Sequence, residues 1–292
     1  MTKQPASAAR LSPLIRRVIA PNPGPFTDKG TCSYIVEEGE VAIVDPGPDD
    51  ARHVAALLDA VAGETLRYVL VTHTHRDHSP AAAILRERTG ALVVGCAPYA
   101  EPPDLAYTGP GLDAAHDRAY APDRILEDGE TLALGGATIE TVATPGHTAN
   151  HLCFALREEK ALFTGDHVMA WSTSVVAPPD GSMRDYMASV ERMRARDDIV
   201  FWPGHGGPIR HTQRYLRALV HHRRAREAAI LQRLEAGDDT IAAIVARVYE
   251  NTDRRLHGAA ALTVFAHLEH LIERGLVAAR ERPTLFARYV RV

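Results

Sequence analysis

The sequence predicts an α/β protein with a smaller, mostly helical module at its C-terminal end. Short runs of β-forming residues dominate about the first two hundred residues, and most runs are bounded by Gly, Pro or Asp. Helical patterns lie between some of these runs, which is typical of a fold with helices packed outside sheet. After Gly207 the pattern becomes mainly helical. We therefore expect two domains, residues 1–208 and residues 209–292.

The predicted elements follow in chain order. The β-type runs lie at Val41–Val44, Tyr68–Val71, Leu92–Val94, Thr138–Val142, His151–Leu156 and Ile199–Trp202. Apolar residues at helical spacing predict helices over Asp50–Ala62, Pro80–Arg88, His211–Leu234, Thr240–Tyr249 and Ala259–Arg274. Thr240 is suited to an N-cap and Gly275 to a helix stop. Two strands, Leu276–Ala279 and Leu285–Val290, close the chain, so the module resembles a winged helix.

Composition excludes several classes of protein. The 292 residues are 46% hydrophobic and 24% charged, with a formal net charge of −4, which is typical of a globular rather than a disordered chain. Charges, Gly or Pro interrupt every apolar run well before the ~20 residues that a membrane span requires. The N-terminal segment lacks the apolar core of a secretory signal, and the three cysteines are widely spaced. We therefore predict a cytoplasmic location, without a membrane partner.

One segment, Val69–His78, carries the residues that point to chemistry. It reads V-L-V-T-H-T-H-R-D-H, so a β-run delivers His73, His75, Asp77 and His78 within six residues. His73 and His75 are two residues apart, so their side chains project from the same face of an extended backbone. Three imidazoles and a carboxylate at a strand end suit Zn²⁺, and also Fe or Mn. The alternative, solvated loop residues, is a poor explanation for four such groups directly after an apolar strand.

Three further fragments each place one ligand-type residue just past a short strand, next to a glycine. These residues are His147 in T-P-G-H-T, Asp166 in T-G-D and His205 in P-G-H-G. Glycine permits the tight turns that let backbone and metal approach closely. Each fragment alone is an ordinary strand-to-loop turn. Together with the first segment they supply seven candidate ligands, enough for two metals that share one carboxylate.

The motifs THTHRDH, TPGHT, TGD and PGHG, in this order between Thr72 and Gly206, resemble those of the metallo-β-lactamase superfamily. The resemblance implies a four-layer αββα sandwich with the metals between the loop edges of two sheets. It is closest to the β-lactamase-like protein 2 group, which joins this domain to a C-terminal winged-helix-like domain. The segments Asn22–Pro25, Asp185–Ser189, His222–Glu227 and Tyr249–Thr252 also match that group.

The resemblance implies two metals held by seven ligands: His73, His75 and His147 for the first, Asp77, His78 and His205 for the second, and Asp166 as the bridge. Two adjacent cations lower the pKa of a shared water from about 15.7 toward ~7, so that a metal-bound hydroxide becomes the nucleophile. Asp77 would also orient it. We therefore predict a binuclear zinc hydrolase that cleaves an ester-type or phosphodiester bond, with a small-molecule ester, thioester or lactone, or a single-stranded RNA, as substrate.

Several functions share this set of ligands. Some members of the group resemble single-strand endoribonucleases, which is the sharpest form of the prediction. A glyoxalase II-like thioesterase or a lactonase is the main alternative, and an iron-dependent sulfur dioxygenase is another. Relatives with a cysteine ligand at the second metal do not fit, because Asp166 stands at that position, so β-lactam hydrolysis would be weak and promiscuous. The non-enzymatic alternative is a nucleic-acid-binding protein with a structural metal site.

Other residues have weaker assignments. Trp171, Ser172 and Thr173 follow the bridging aspartate and either contact the substrate or pack within a loop. His151 and His167 either support the ligands or serve the structure. The remaining histidines match no ligand motif and are interpreted as surface or packing residues: His53, His116, His211, His221, His222, His257, His267 and His270.

The charge is unevenly distributed along the chain. Residues 209–292 contain 15 Arg and 9 acidic residues, and six of the arginines form a dense run: Arg210, Arg214, Arg217, Arg223, Arg224 and Arg226. Such a run is suited to salt-sensitive binding of phosphates. The alternative is a solvated helix face, because Arg outnumbers Lys 30 to 3 in the whole chain. In that case the module braces the catalytic domain or forms a homodimer interface.

Overall fold

The computed structural model describes residues 8–101 and 116–292. Within them, a first sheet has seven strands in chain order: β1 (Ala9–Arg10), β2 (Ile15–Ile19), β3 (Cys32–Val36), β4 (Glu40–Val44), β5 (Thr65–Val71), β6 (Leu92–Gly95) and β7 (Arg124–Ile125). Strands β1 to β4 pair antiparallel and β4 to β7 pair parallel.

In the same described ranges, a second sheet has five strands: β8 (Thr131–Leu134), β9 (Ala137–Ala143), β10 (Leu152–Leu156), β11 (Ala161–Gly165) and β12 (Val200–Pro203). Their order across the sheet is β12-β11-β10-β9-β8, and only the β11–β12 pair among them is parallel.

The helices are α1 (Ala51–Ala60), α2 (Ala81–Thr89), α3 (Met183–Arg194), α4 (Thr212–Glu235), α5 (Ile241–Val248) and α6 (His257–Glu273). Short 3-10 turns lie at Arg157–Glu159 and Arg254–Leu256. Asp50 caps α1 by accepting from the amides of Arg52 and His53, and Thr240 caps α5 as its sequence position predicts. Helix α3 was not predicted, although its buried residues recur at helical spacing: Met183, Tyr186, Ser189, Val190 and Met193.

Alternation along the inner strands divides the apolar core into layers. On β11, Phe163 points toward the first sheet and its ring lies 5.2 Å from that of Tyr34, while neighbouring Leu162 joins the core under α3 and α4. Helices α1 and α2 cover the other face of the first sheet through residues such as Leu57 and Leu85. The layers are therefore helix, sheet, sheet and helix, which confirms the predicted αββα sandwich.

Helix α4 connects the sandwich to the C-terminal module. Its first half contributes Leu216 to the core under the second sheet, and its second half contributes Ile230 to the core of the module. The module is completed by α5, α6 and a hairpin of β13 (Val277–Ala279) and β14 (Tyr289–Arg291). The last strand starts later than Leu285, the predicted start, because the chain turns first, with the Ala287 amide bonded to the Thr284 carbonyl.

Among the described residues, no helix combines the length and the apolar character needed to cross a bilayer.

Candidate metal centre

The predicted ligands meet where β5, β9, β11 and β12 end. The first group is His73, His75 and His147. His73 Nε2 lies 3.0 Å from His75 Nδ1, and His147 Nε2 lies 3.2 Å from the same atom. Three ring nitrogens thus face one point, together with Asp166, and one ligand atom from each of the four residues lies within 4.8 Å of the others.

The hydrogen-bond network assigns bare nitrogen lone pairs to this point. The Val175 carbonyl can only accept, so His147 Nδ1 donates to it (2.6 Å) and Nε2 carries no proton. The Thr72 hydroxyl donates its single proton to Asp45, so it accepts from His73 Nδ1 (3.0 Å), which leaves His73 Nε2 bare. Two bare nitrogens therefore converge with His75 Nδ1 and the Asp166 carboxylate on one point, and this donor set fits a metal ion.

The second group is Asp77, His78 and His205. His205 Nε2 lies 3.1 Å from Asp77 Oδ2 and 3.3 Å from His78 Nε2. His78 Nδ1 is bonded to Asp45 (2.9 Å), so its Nε2 is the atom that faces the group. Two imidazoles and a carboxylate form the nitrogen and oxygen set that suits Zn²⁺, Fe or Mn.

Asp166 lies between the two groups. Its Oδ1 is 3.4 Å from His78 Nε2 and 3.3 Å from His205 Nε2, whereas its Oδ2 is 3.8 Å from His147 Nε2. One carboxylate therefore presents one oxygen to each group, as a bridging ligand does. The structure brings together all seven residues that the sequence motifs single out.

Burial and charge set the protonation of these groups in the protein alone. Burial, with the neighbouring histidines, holds the pKa of His73 and His75 well below the usual range. Burial opposes a positive charge on His205 too, but Asp166 and Asp77 raise its pKa to about 9. Burial would also raise the pKa of Asp77, yet His78 and His205 hold it well below its usual value. In the protein alone, ionised Asp77 and Asp166 are therefore paired with protonated His78 and His205, and a metal ion that binds here displaces those protons.

Sequence reasoning missed Asp45, which holds the cluster from behind. This buried carboxylate follows β4 and accepts from the Thr72 amide, the Thr72 hydroxyl and His78 Nδ1, each at 2.9 Å. Such outer partners fix the orientation of metal-bound histidines. The feature of the sequence that could have revealed Asp45 is its position, because it directly follows β4, the strand that pairs with β5.

His151 and His167 have different surroundings. His151 accepts from the Asp166 amide (3.3 Å) through Nε2, and its Nδ1 is bonded to the Thr144 hydroxyl (2.9 Å). It therefore supports the bridging residue. The His167 ring packs instead against Tyr186, with centroids 4.5 Å apart, and burial lowers its pKa to about 3.

Gly204 is needed for the close approach of the ligands. A Cβ atom at this position would lie 2.6 Å from Asp166 Oδ1 and 2.6 Å from His78 Cε1. Any side chain would therefore occupy the space between the two groups. This explains in physical terms why the P-G-H-G fragment carries a glycine just before its histidine.

The cluster opens into a cavity of about 620 Å³. Trp171, Ser172 and Thr173 line it, and Trp171 packs over Gly206, close to His205. Phe26, Met169 and Val175 add apolar surface. The opposite wall comes from the C-terminal module: Tyr249, Thr252, Leu256, Ala259, Ala260, Leu262 and Thr263.

Two histidines that matched no ligand motif also line this cavity. The His116 ring lies 4.8 Å from that of His75, and its Nδ1 is bonded to the Thr74 hydroxyl (3.1 Å). His222 lies on α4, in the wall that the module provides. Their interpretation as surface or packing residues was therefore incomplete, because spacing in the sequence gives no sign of either position.

The arginine-rich run does not form a uniform surface. Arg223 is buried, stacks on Tyr186 and donates to the Ser174 carbonyl, and Arg226 stacks on Tyr249 and donates to the Val248 carbonyl. Elsewhere in the described module, five arginines pair with acidic residues: Arg233, Arg255, Arg274, Arg288 and Arg291. Much of the positive charge therefore serves the structure or is neutralised.

Comparison with known proteins agrees with this geometry. The metallo-beta-lactamase superfamily matches residues 26–205, and the beta-lactamase associated winged helix domain matches residues 240–283. The chain therefore belongs to the metallo-beta-lactamase superfamily, with the associated winged-helix domain. Hydrolases such as thioesterases are among its relatives.

The relatives include two kinds of protein. A beta-lactamase-like protein 2 homolog from Caenorhabditis elegans is 30% identical over 273 residues, which is 92% of this chain and 87% of the relative. This confirms the predicted group. The atrochrysone carboxyl ACP thioesterase dmxR1 from Cryptosporiopsis sp. (strain 8999) is 34% identical over 234 residues. That match covers 77% of this chain and 64% of the relative, slightly less than two thirds of its length.

Solved structures show the same fold. A beta-lactamase domain protein from Burkholderia ambifaria matches with a TM-score of 0.81 at 21% identity, over 100% of this chain and 96% of that chain. A further protein, solved in a di-iron-bound form, is 28% identical with a TM-score of 0.52, over 68% of this chain and 95% of that chain.

Proposed function

We propose that the protein hydrolyses a thioester with an apolar acyl group. The observation that carries the proposal is the cavity, which joins the histidine and aspartate cluster to a mostly apolar wall. Phe26, Met169 and Trp171 line it on the side of the sandwich, and helix α6 lines it on the other side. Apolar walls suit a hydrocarbon group, and a few polar groups at one end suit the bond to be cleaved.

The proposed metal ligands are those of the two groups. The first cation would be held by His73, His75 and His147, the second by Asp77, His78 and His205, and Asp166 would bridge them. Two Zn²⁺ ions fit this donor set, and two iron ions are the alternative, since a relative is solved in a di-iron-bound form. When bound, the cations supply Lewis acidity to the carbonyl oxygen and lower the pKa of water.

The protein's own groups would orient the reactants. The Thr31 hydroxyl donates to Asp77 Oδ2 (3.1 Å), which fixes this carboxylate at the mouth of the cluster, where it would align the attacking water. Trp171, Ser172 and Thr173 would contact the substrate from the cavity wall. Hydrolysis adds water across the C–S bond, so the products are a carboxylic acid and a thiol.

A single-stranded RNA is less well suited to this cavity. Phosphate binding requires available cations, but two of the three arginines in the wall are engaged with backbone carbonyls, Arg223 and Arg226. Arg76 is exposed. The relatives point in the same direction, because several are named as acyl carrier protein thioesterases.

The test combines metal analysis with a substrate panel on the purified protein. The panel contains acyl thioesters of a small thiol, S-lactoylglutathione, a lactone and a single-stranded RNA. We expect about two metal ions per chain and preferred cleavage of acyl thioesters. His75→Ala should abolish this activity, whereas His221→Ala, an exposed histidine of α4, should not. Preferred cleavage of RNA, with binding that weakens steeply with salt, would overturn the proposal.

Compartment and assembly stay proposals. Cys32, Cys96 and Cys153 are free and buried, which supports a reducing compartment such as the cytoplasm. A homodimer would appear as a doubled mass in light scattering.

A further inference from the structure

The wall that the C-terminal module contributes to the cavity has a distinct composition. We call it the α6 wall and define it by Leu256, Ala259, Ala260, Leu262 and Thr263. Its side chains are apolar, apart from one hydroxyl, and two of them are only methyl groups. Ala260, Leu262 and Thr263 are each 7% exposed, so they are fixed by packing rather than mobile on the surface.

Large apolar side chains of the sandwich line the same cavity. Trp171 is 37% exposed and Phe26 is 52% exposed, so both have apolar surface in contact with solvent. Both line the cavity that the α6 wall closes on its other side. A hydrocarbon group in this space would remove apolar surface of both domains from water, and burial of apolar surface is the main source of affinity in such pockets.

The α6 wall lacks the positive charge that binding of a nucleic acid would require. Its five residues carry no charge, and the two α4 arginines that line the same cavity are engaged elsewhere. Arg223 donates to the Ser174 carbonyl, and Arg226 donates to the Val248 carbonyl and stacks on Tyr249, 4.6 Å from the ring centroid. Thus Arg226 helps to hold the loop after α5. The module therefore offers the cavity shape and apolar surface rather than positive charge.

We propose that the α6 wall binds the acyl group of the substrate, so that the winged-helix module sets the size of acyl group that the enzyme accepts. This inference rests on the proposed thioester hydrolysis and adds a role for the module. Of the two arms of a thioester, the hydrocarbon acyl arm matches an uncharged wall, whereas thiol arms commonly carry polar amides. The small side chains of Ala259 and Ala260 leave the room that a longer acyl group occupies.

The expected effect follows from the burial of methylene groups. Each methylene removed from water contributes about 0.8 kcal/mol, which corresponds to about a fourfold rise in kcat/KM per carbon until the cavity is filled. A larger side chain in the α6 wall should end this rise at a shorter acyl group. A smaller side chain should extend it.

The experiment measures kcat/KM for one thiol with acetyl, butyryl, hexanoyl, octanoyl and decanoyl groups. Ala260→Leu and the more exposed Ala259→Leu should lower the value for decanoyl at least about tenfold and leave the acetyl value within about twofold. Leu256→Ala should shift the preference toward longer groups. Ala225→Leu is the matched control, since it makes the same change on an exposed position of α4 outside the cavity wall.

Opposite shifts for narrowing and widening variants, with unchanged metal content, would support the proposal. An equal loss for all acyl lengths, or an unchanged profile in every variant, would overturn it. Binding of decanoate, followed by calorimetry, separates this inference from the proposed function. If the wild-type protein cleaves no thioester but binds decanoate, and Ala260→Leu weakens that binding, the thioesterase proposal fails and the acyl-binding wall stands. If decanoate does not bind, the wall fails as well.

Discussion

The metal cluster and the α6 wall face the same cavity but are built in opposite ways. The cluster consists of particular donor atoms at strand ends, and Asp166 alone presents one oxygen to each half of it. The α6 wall consists of uncharged side chains on a helix of another domain and on the 3-10 turn before it, where the size and position of a side chain are what matter. The difference teaches how the two proposals divide the work: the proposed chemistry is confined to the sandwich, whereas the proposed choice of substrate is shared with the appended module.

The two regions also differ in what connects them. The segment after β11 carries Asp166 and runs on to Ser174 and Val175. Val175 bonds to His147, and Ser174 accepts from Arg223 of α4. Arg223 of the module and the proposed metal ligand His147 therefore bond to the carbonyl groups of adjacent residues. Substitutions in the cluster should therefore have the largest effects, and substitutions farther out in the module should have smaller ones.

The largest effect is expected from Gly204→Ala. The added methyl would lie 2.6 Å from both Asp166 Oδ1 and His78 Cε1, so the two ligand groups must move apart. We expect loss of bound metal and a fall in kcat/KM of more than about a hundredfold, beyond what the loss of one outer partner costs. Metal content and hydrolysis are measured on the same preparation. Gly207→Ala is the control, because its new methyl meets nothing within 4 Å. Full metal content in the Gly204 variant would contradict the close-approach argument.

A smaller loss is expected from Asp45→Asn. The substitution keeps the shape and tolerates the positive φ of 51° at this position, but it removes the charge that holds Thr72 and His78. Loss of an outer partner commonly reduces metal affinity or activity 10- to 100-fold, so we expect a change of about that size. Titration with Zn²⁺ measures it. The exposed Asp49→Asn makes the same chemical change outside the site and should leave affinity unchanged. Equal affinities in both variants would exclude a supporting role for Asp45.

Arg223→Met tests the link between the two regions. The change removes the donor to the Ser174 carbonyl and leaves that buried group without its partner, which should lower the free energy of unfolding by about 1–3 kcal/mol. It should also lower kcat about tenfold, because the adjacent Val175 carbonyl orients His147. Denaturant unfolding and kinetics are compared with the exposed neighbour variant Arg224→Met. If Arg223→Met loses stability but keeps full kcat, the arginine braces the domains without positioning the ligand.

The sequence predicted these regions unequally, for physical reasons. Metal ligands must be particular residue types close to turns, so His73, His147 and His205 appear as motifs in the chain. Asp45 did not, because a supporting carboxylate needs only a strand end and carries no characteristic neighbours. The wall residues Ala259 and Ala260 were invisible as well, since an alanine on a helix is ordinary in any sequence. Their proposed role in binding the acyl group depends on the packing of α6 against the cavity.

The sequence-based predictions were least accurate for helices that carry many charged residues, α3 and α4. Helix α3 carries its apolar side chains at regular spacing, but arginines and acidic residues between them obscured the pattern. The arginine-rich run was read as one feature, although Arg223 is buried and Arg226 stacks on an aromatic ring. Whether a charged side chain is solvated depends on its helix face and on the neighbouring helices, and sequence composition contains neither.

The smallest effect concerns the stability of the module alone. Burial, with Glu273 nearby, raises the pKa of Glu269 on α6 from 4.5 to about 7. Because the folded pKa lies above the unfolded one, the contribution of this group to stability is full below about pH 4.5 and is lost as the pH rises through about 7. Glu269→Gln should therefore stabilise the protein at pH 8 by on the order of 1 kcal/mol, after allowance for solvent screening, and change little at pH 4.5. Thermal unfolding of both proteins at the two pH values measures the difference, and Glu250→Gln serves as an exposed control. A stabilisation that is equal at both pH values would show that the removed charge is not its cause. Unchanged kcat at pH 8 would place Glu269 outside the chemistry, as expected for a residue of the module that lies beyond the α6 wall.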